Sequence, residues 1–305
     1  MSLNLASILR QTAKDRPDHL ALVLPGPGGD LQLSYRALDE QARRLAGALR
    51  GLGLRPGQHV ALLMPNLPAF SIAYFACHYA GLPVVPLNVL LTADEIAYHL
   101  DDSDAVVLVT WEGLLPQALA GAGRVPHCRH VIVAQADPSQ ALPEGALGLA
   151  GLIAGATPLT DLTATMPDDT AVVLYTSGTT GRPKGAELTH FNMYYNAEYV
   201  TTQLLPLSDE TRALVTLPLF HSFGQTVMHN AVLRAGGTLV LLPRFDAKTA
   251  MALMTRYRVT FFGGVPTMYF ALLHSPDAAS SEPPCGGAQV VRPNDRRGAA
   301  QLPER

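Results

Sequence analysis

From Leu20 onward, short aliphatic and β-branched runs alternate with segments of helical period. That alternation restricts the fold more narrowly than any other feature, because it is the signature of α/β layering. Residues 59–64 (HVALLM), 105–110 (AVVLVT) and 130–134 (HVIVA) read as buried strands. Ser34 precedes a run in which Leu38, Ala42, Leu45, Leu49 and Leu52 recur at helical spacing, stopped by Gly53 and Pro56. A second helix is expected over 66–80, and Thr92 with Glu95 forms a capping box for a third. Beyond them, strands are expected at 170–175, 212–217, 238–242 and 259–262, with helices at 222–233 and 246–257. The predicted class is α/β, with layered β-sheets flanked by helices. The weakly patterned, Ala-, Gly- and Pro-rich stretch 135–165 is taken as a junction. It divides the chain into a first subdomain (1–165), a second (166–274) and an unstructured tail (275–305).

Composition removes several alternatives. Hydrophobic residues make up 48% and charged residues 15%, against roughly 25% charged in ordinary soluble chains. Such a chain is too apolar to be disordered in bulk. A formal net charge of −3 leaves no electrostatic footprint for nucleic acid. Cys77, Cys128 and Cys285 are odd in number and far apart, which excludes a disulfide framework. Two uncharged stretches, 71–91 and 213–233, have bilayer-spanning length, but Gly81, Pro83, Pro86 and Pro218 break them, and buried α/β segments explain them better. The amino-terminal residues carry charges in a helical period rather than a signal-peptide core. The expected location is cytoplasmic, with peripheral membrane contact and oligomeric state left open.

The chemistry concentrates after the strand that ends at Tyr175. Thr176, Ser177, Gly178, Thr179, Thr180 and Gly181 form a run of hydroxyls and glycines, with Lys184 close behind. Glycines permit positive φ, so successive N–H groups can converge on an anion, and hydroxyls and an ammonium add donors for phosphate oxygens. The alternative for such a run is a plain solvent turn. It is not a Walker A loop, because Arg182 and Pro183 separate Gly181 from Lys184 and Gly185 follows the lysine. His127, Cys128 and His130 lack further ligands at zinc spacing and read as incidental.

The run YTSGTTGRPKG resembles the signature of the ANL superfamily of adenylate-forming enzymes. SYRALDEQARRLAGALRGLGLRPGQHVALLMPN, LPLFHSFG and FGGVPTMY resemble further segments of that family, and NVLLTADEIAYHLDDS with FHSFG is closest to fatty acyl-CoA synthetases. The resemblance implies the amino-terminal subdomains of the ANL adenylation fold. It also implies a reaction in which a small-molecule carboxylate, here a fatty acid, and ATP give an acyl adenylate and pyrophosphate, with CoA as the acyl acceptor in many members. On this match Thr176 through Gly181 would contact the β- and γ-phosphates. Thr176 would lie near Mg²⁺, and Lys184 would steady the leaving pyrophosphate. His221 would stand beside the acyl carboxylate as a catalytic and substrate-binding residue, the plain alternative being a satisfied core histidine. Gly263, Gly264 and Val265 would line the acyl pocket, the alternative being a tight turn.

The family pattern continues with an aromatic–Gly–x–Thr–Glu segment, a ribose-binding aspartate and a carboxy-terminal catalytic lysine, none of which follows Tyr269 here. The stretch from 275 has no aromatic residue and no lysine. It reads either as a flexible tail or, as the resemblance favours, as out-of-frame sequence after an interrupted gene. The expectation is thus a truncated acyl-CoA synthetase that keeps its triphosphate loop and is inactive alone, the alternative being a non-catalytic binding protein on the same fold.

Overall fold

A computed structural model describes residues 2–176 and 181–275 together with the strand Gln289–Val291. The described residues form thirteen strands in two sheets, numbered along the chain. The six-stranded sheet holds β1 (Leu20–Leu24), β2 (Leu31–Ser34), β10 (Arg212–Val215), β11 (Thr238–Leu241), β12 (Phe261–Gly263) and β13 (Gln289–Val291), in the order β13-β12-β10-β11-β1-β2. The seven-stranded sheet holds β3 (His59–Leu63), β4 (Val84–Pro86), β5 (Ala105–Trp111), β6 (His130–Ala134), β7 (Ala146–Gly148), β8 (Thr170–Thr176) and β9 (Lys184–Thr189), in the order β7-β6-β5-β3-β4-β8-β9. Pairing is parallel except at β1/β2 and β8/β9.

Side-chain alternation along these strands assigns the layers. Val60, Leu62, Val107 and Val109 share one core with Leu22, Ala213, Val215 and Leu239 of the other sheet. Their neighbours Ala61, Leu63 and Leu108 face the helices Ala93–Asp102 and Leu115–Ala122. Leu214, Val240 and Phe262 face Ala247–Arg256 and Pro266–Leu273. Both faces of the central strands are covered, which is why those strands read as unbroken apolar runs, whereas the edge strands β2 and β9 are partly exposed. Between the sheets lie Ser7–Asp15, Tyr35–Gly51 and Pro68–Tyr79, so the order is helices, sheet, helices, sheet, helices. Every residue of Pro68–Tyr79 except Ala69 is buried. The apolar stretch around 71–91 is thus a central layer, and no helix among the described residues is long and apolar enough to cross a membrane.

Local signals are obeyed. Ser34 caps Tyr35–Gly51 by accepting from the Ala37 N–H, and Thr92 with Glu95 forms the capping box. The helix expected over 222–233 winds as a π-helix over Gly224–Ala231 and as an α-helix only from Val232 to Ala235. The sheets also cross the expected division at 165: β1 and β2 belong with the second-half strands, and β8 and β9 complete the first-half sheet. In β1, LALVL is apolar on both faces, which suits an interior position between β11 and β2. Within the stretch expected to be unstructured, Gln289–Val291 pairs in parallel with β12, using two adjacent β-branched valines.

The junction 135–165 owes its low patterning to its path. Arg43 Nε donates to Leu159 O at 2.8 Å, and Leu159 N donates back to Arg43 O at 3.0 Å. A Cβ on Gly47 would stand 2.1 Å from Thr157 O. Gly47→Ala gains helix propensity of about 1 kcal/mol, but a backbone carbonyl cannot yield as a side chain can. Overpacking of about 1–3 kcal/mol therefore sets the sign, and chemical denaturation should show a net loss of stability.

A polar seam crosses the central layer. Ser71 Oγ donates to His229 Nε2 (2.9 Å), His229 Nδ1 donates to Asn230 Oδ1 (2.9 Å), and Asn230 Nδ2 donates to Tyr74 Oη (3.1 Å). Burial lowers His229 to about 4, and His190 likewise to about 4. Both are neutral in the fold and regain an ordinary value near 6.5 on unfolding. Their contribution is complete above about pH 6.5 and is lost as pH falls toward 4. The thermal midpoint should drop between pH 7 and pH 5, and His229→Gln should make that drop shallower.

Candidate functional site

The six-stranded sheet reverses its winding at β10. The chain passes from β10 to β11 on one side and returns to place β12 on the other. The helical segment after β10 packs on the central layer, whereas Pro266–Leu273 after β12 packs on the outer one. Loops leaving adjacent carboxyl ends at such a reversal diverge and leave a crevice, the usual ligand position in open α/β sheets. The residues predicted as the acyl side of the site lie there, with His221 on the loop after β10 and Gly264 and Val265 directly after β12.

Close packing joins the two loops. A Cβ on Gly263 would lie 2.9 Å from both Met228 Sδ and Phe223 Cε1, so the glycine lets β12 approach that aromatic–thioether pair. A Cβ on Gly224 would lie 2.2 Å from Pro218 O, so the start of the π-helix backs directly onto the loop. His221 N donates to Pro218 O at 3.0 Å, and Gln225 N donates to His221 O at 2.9 Å. The backbone of His221 is thus held while its ring remains exposed, against Phe220 at 4.6 Å between centroids. Partial desolvation lowers its pKa from the ordinary histidine value. Among the described residues its ring nitrogens make no hydrogen bond, unlike those of His229, so it is not a satisfied core histidine. Gly264 packs under the Phe262 and Tyr269 rings, and Val265 directly precedes Pro266–Leu273 at 37% exposure.

The predicted phosphate loop is the turn of a hairpin. Thr176 and Lys184 are the register partners of β8/β9 next to the connecting loop, and both are exposed. Ser177, Gly178, Thr179 and Thr180 lie outside the described residues. Gly181 has φ +93°, the left-handed conformation for which glycine is suited. The hairpin is tied to Ala93–Asp102: Tyr175 Oη donates to Asp102 Oδ2 (2.6 Å), and Tyr98 Oη donates to Pro183 O (2.8 Å). Burial first, and then the Asp102 carboxylate, push the Tyr175 hydroxyl above its usual pKa. The Arg182 guanidinium lies 5.9 Å from the Tyr98 ring centroid.

Thr176 offers a cation one hydroxyl. That suits Mg²⁺, which takes few protein ligands when phosphates and water complete its shell. Among the described residues no group of three or more His, Cys, Asp or Glu could hold a metal on its own. His127 instead meets Leu100 O at 3.2 Å, and burial raises the Cys128 thiol to about 11.

Three residues have no counterpart in the expected site. Phe223 and Met228 form the wall against Gly263, and Asn66 secures the loop from the other sheet: Leu219 N donates to its Oδ1 at 2.9 Å. The one signal for Asn66 was a lone polar side chain within MPNLPAF.

Comparison with known proteins identifies the family. A family model for AMP-binding enzyme matches residues 9–303. A feruloyl-CoA synthase of an Amycolatopsis species is 38% identical over 269 residues, covering 86% of this chain and 50% of that protein. A long-chain-fatty-acid–CoA ligase of Bacillus subtilis is 30% identical over 305 residues, covering 90% of this chain and 52% of that one. The crystal structure of the anthranilate CoA ligase AuaEII with anthranoyl-AMP superposes with a TM-score of 0.85 at 26% identity, covering 92% of this chain and 53% of that one. The chain spans about half the length of these relatives. Two interleaved sheets, a hydroxyl- and glycine-rich hairpin and a family match across nearly the whole sequence lead to one conclusion: the chain belongs to the AMP-binding enzyme family.

Proposed function

We propose that this chain carries the triphosphate-binding and carboxylate-binding half of an AMP-forming acid–CoA ligase. One observation carries the reading: the sheet reversal between β10 and β12 and the Thr176–Lys184 hairpin occur in a single chain of this family. The reaction joins a carboxylate oxygen to the α-phosphorus of ATP and releases pyrophosphate. It asks the protein chiefly for positioning and charge compensation. Thr176, Gly181 and Lys184, with the four intervening residues, would hold the phosphates, and Lys184 would take up charge on the leaving pyrophosphate. Mg²⁺, when bound, neutralises phosphate charge, and Thr176 would ligate it through its hydroxyl. His221 would orient the attacking carboxylate by donating an N–H. CoA would receive the acyl group in a second step.

The acid should have an apolar body, because the elements at the β10/β12 reversal meet there through apolar groups: Phe223 and Met228 pack against Gly263, and the Phe262 and Tyr269 rings pack against Gly264. A fatty acid is the first reading. An aromatic acid is the second, favoured by the feruloyl-CoA synthase at 38% identity.

Calorimetry tests the hairpin. Charge-assisted hydrogen bonds contribute about 1.5–3 kcal/mol each, so pyrophosphate should bind with Kd in the roughly high-micromolar to millimolar range. Thr176→Val combined with Lys184→Ala should abolish the heat; equal affinity in wild type and double variant would remove the hairpin from the site. The crevice is tested with hydrolysis-resistant acyl-sulfamoyl adenosines. Octanoyl and cinnamoyl probes should bind at least about tenfold more tightly than acetyl, since burying two methylenes already contributes about 1.6 kcal/mol. Equal binding of all three would rule out an apolar acyl site, and the order of the first two decides between fatty and aromatic acids.

A further inference from the structure

Asn66 belongs to neither set of predicted site residues, yet its side chain makes three hydrogen bonds from the exit of β3 to the exit of β10. It follows β3 of the seven-stranded sheet and is 2% exposed. Its Oδ1 accepts from Leu219 N at 2.9 Å, and its Nδ2 donates to Leu217 O at 3.0 Å and Val215 O at 3.2 Å. All three partners belong to the exit of β10, two residues short of His221. Both amide hydrogens are used, and the orientation has no substitute: a flipped amide would set N–H against N–H and oxygen against two carbonyls. On its far side the same loop rests against Gly224, whose missing side chain lets Pro218 O approach. The loop leading to His221 is therefore held twice, by Asn66 from the seven-stranded sheet and by the close approach of Gly224 at the start of the following helical segment.

We infer that Asn66 is a positioning residue that fixes the His221 loop of the six-stranded sheet from the seven-stranded sheet, and so sets the carboxylate-orienting imidazole relative to the phosphate hairpin. β3 is bonded to β4 and β4 to β8, so the backbone before Asn66 and the backbone ending at Thr176 are parts of one sheet. Anchoring to that sheet ties the acyl side to the same frame as the hairpin. A bond to the β10 sheet alone would leave the two sides free to shift with inter-sheet packing. The role in catalysis rests on the activity proposed above; the grip on the loop does not.

The test separates positioning from mere support of a buried loop. Histidine-labelled NMR of the 305-residue chain follows the His221 ring, assigned by its loss in His221→Gln. In the wild type the Phe220 ring at 4.6 Å displaces that signal. Asn66→Ala should move it toward the value of an unstructured histidine while the His127 signal stays in place. Asn66→Asp keeps an acceptor for Leu219 but sets a carboxylate against two carbonyls, so it should produce the same displacement, and it carries the test if the alanine variant does not fold. The octanoyl-sulfamoyl adenosine probe should bind about tenfold more weakly to either variant, and His221→Gln should add little on that background, as expected for residues acting as a unit. A lowered melting temperature with an unmoved His221 signal would overturn the inference, as would additive losses in the double variant. A wild type that fails to bind the probe would count against the proposed activity, and the ring signal would still decide the positioning.

Discussion

A helix with no solvent face dictates the rest of this structure. Pro68–Tyr79 buries Phe70, Tyr74, Phe75 and Tyr79 at once, and large aromatics left in water would forfeit about 25 cal/mol for each Å² exposed. One sheet can cover only one side of a helix, so this helix requires both. Its polar atoms impose a second condition. Tyr74 Oη accepts from Asn230, and Ser71 donates to His229, so the segment after β10 must dock before they are satisfied. The two sheets are consequently interdependent. Their interleaving follows the same logic: β1 and β2 come from the amino-terminal end and β8 and β9 from mid-chain, yet each completes the sheet built mainly by the other half.

Much of this was legible in the residues, because buried parallel strands leave a plain signature. HVIVA over His130–Ala134 matches its strand residue for residue, and the caps at Ser34 and Thr92 are local chemistry that needs no tertiary partner. Sheet membership was not legible. Nothing in LALVL states that its parallel neighbour is β11, more than 200 residues away, since any apolar strand would accept it. The winding of Gly224–Ala231 was hidden for a related reason. Its apolar spacing suits an ordinary helix, while the buried His229 and Asn230 acquire their partners Ser71 and Tyr74 only after the layers close.

At the candidate site, residue type raised expectations about chemistry, whereas the architecture left no mark in the sequence. Hydroxyls, glycines and a lysine raise the expectation of anion binding through residue type alone, and Gly181 takes the conformation that its lack of a side chain permits. Asn66, Phe223 and Met228 contribute shape and support. An asparagine that accepts from Leu219 on another sheet is, in sequence, indistinguishable from one in a solvent turn. The same holds for Gly224 and Gly263, whose value is a close approach of a carbonyl, a ring and a sulfur that only the fold supplies.

The electrostatics explain why a site of this kind would draw on both sheets. On the proposed reading two anions, a carboxylate and a triphosphate, must meet. At neutral pH the His221 imidazole, its pKa lowered by desolvation, is largely uncharged and can orient an oxygen without offsetting its charge. Compensation must then come from the hairpin side, where Lys184 is exposed and, among the described residues, has no ion-pair partner. Orientation without charge on one sheet and charge on the other divide the work, and neither element suffices alone. Such a division functions only if the two sheets hold a fixed register. The buried helix secures that register in bulk, and the Asn66 amide secures it at the loop that carries His221.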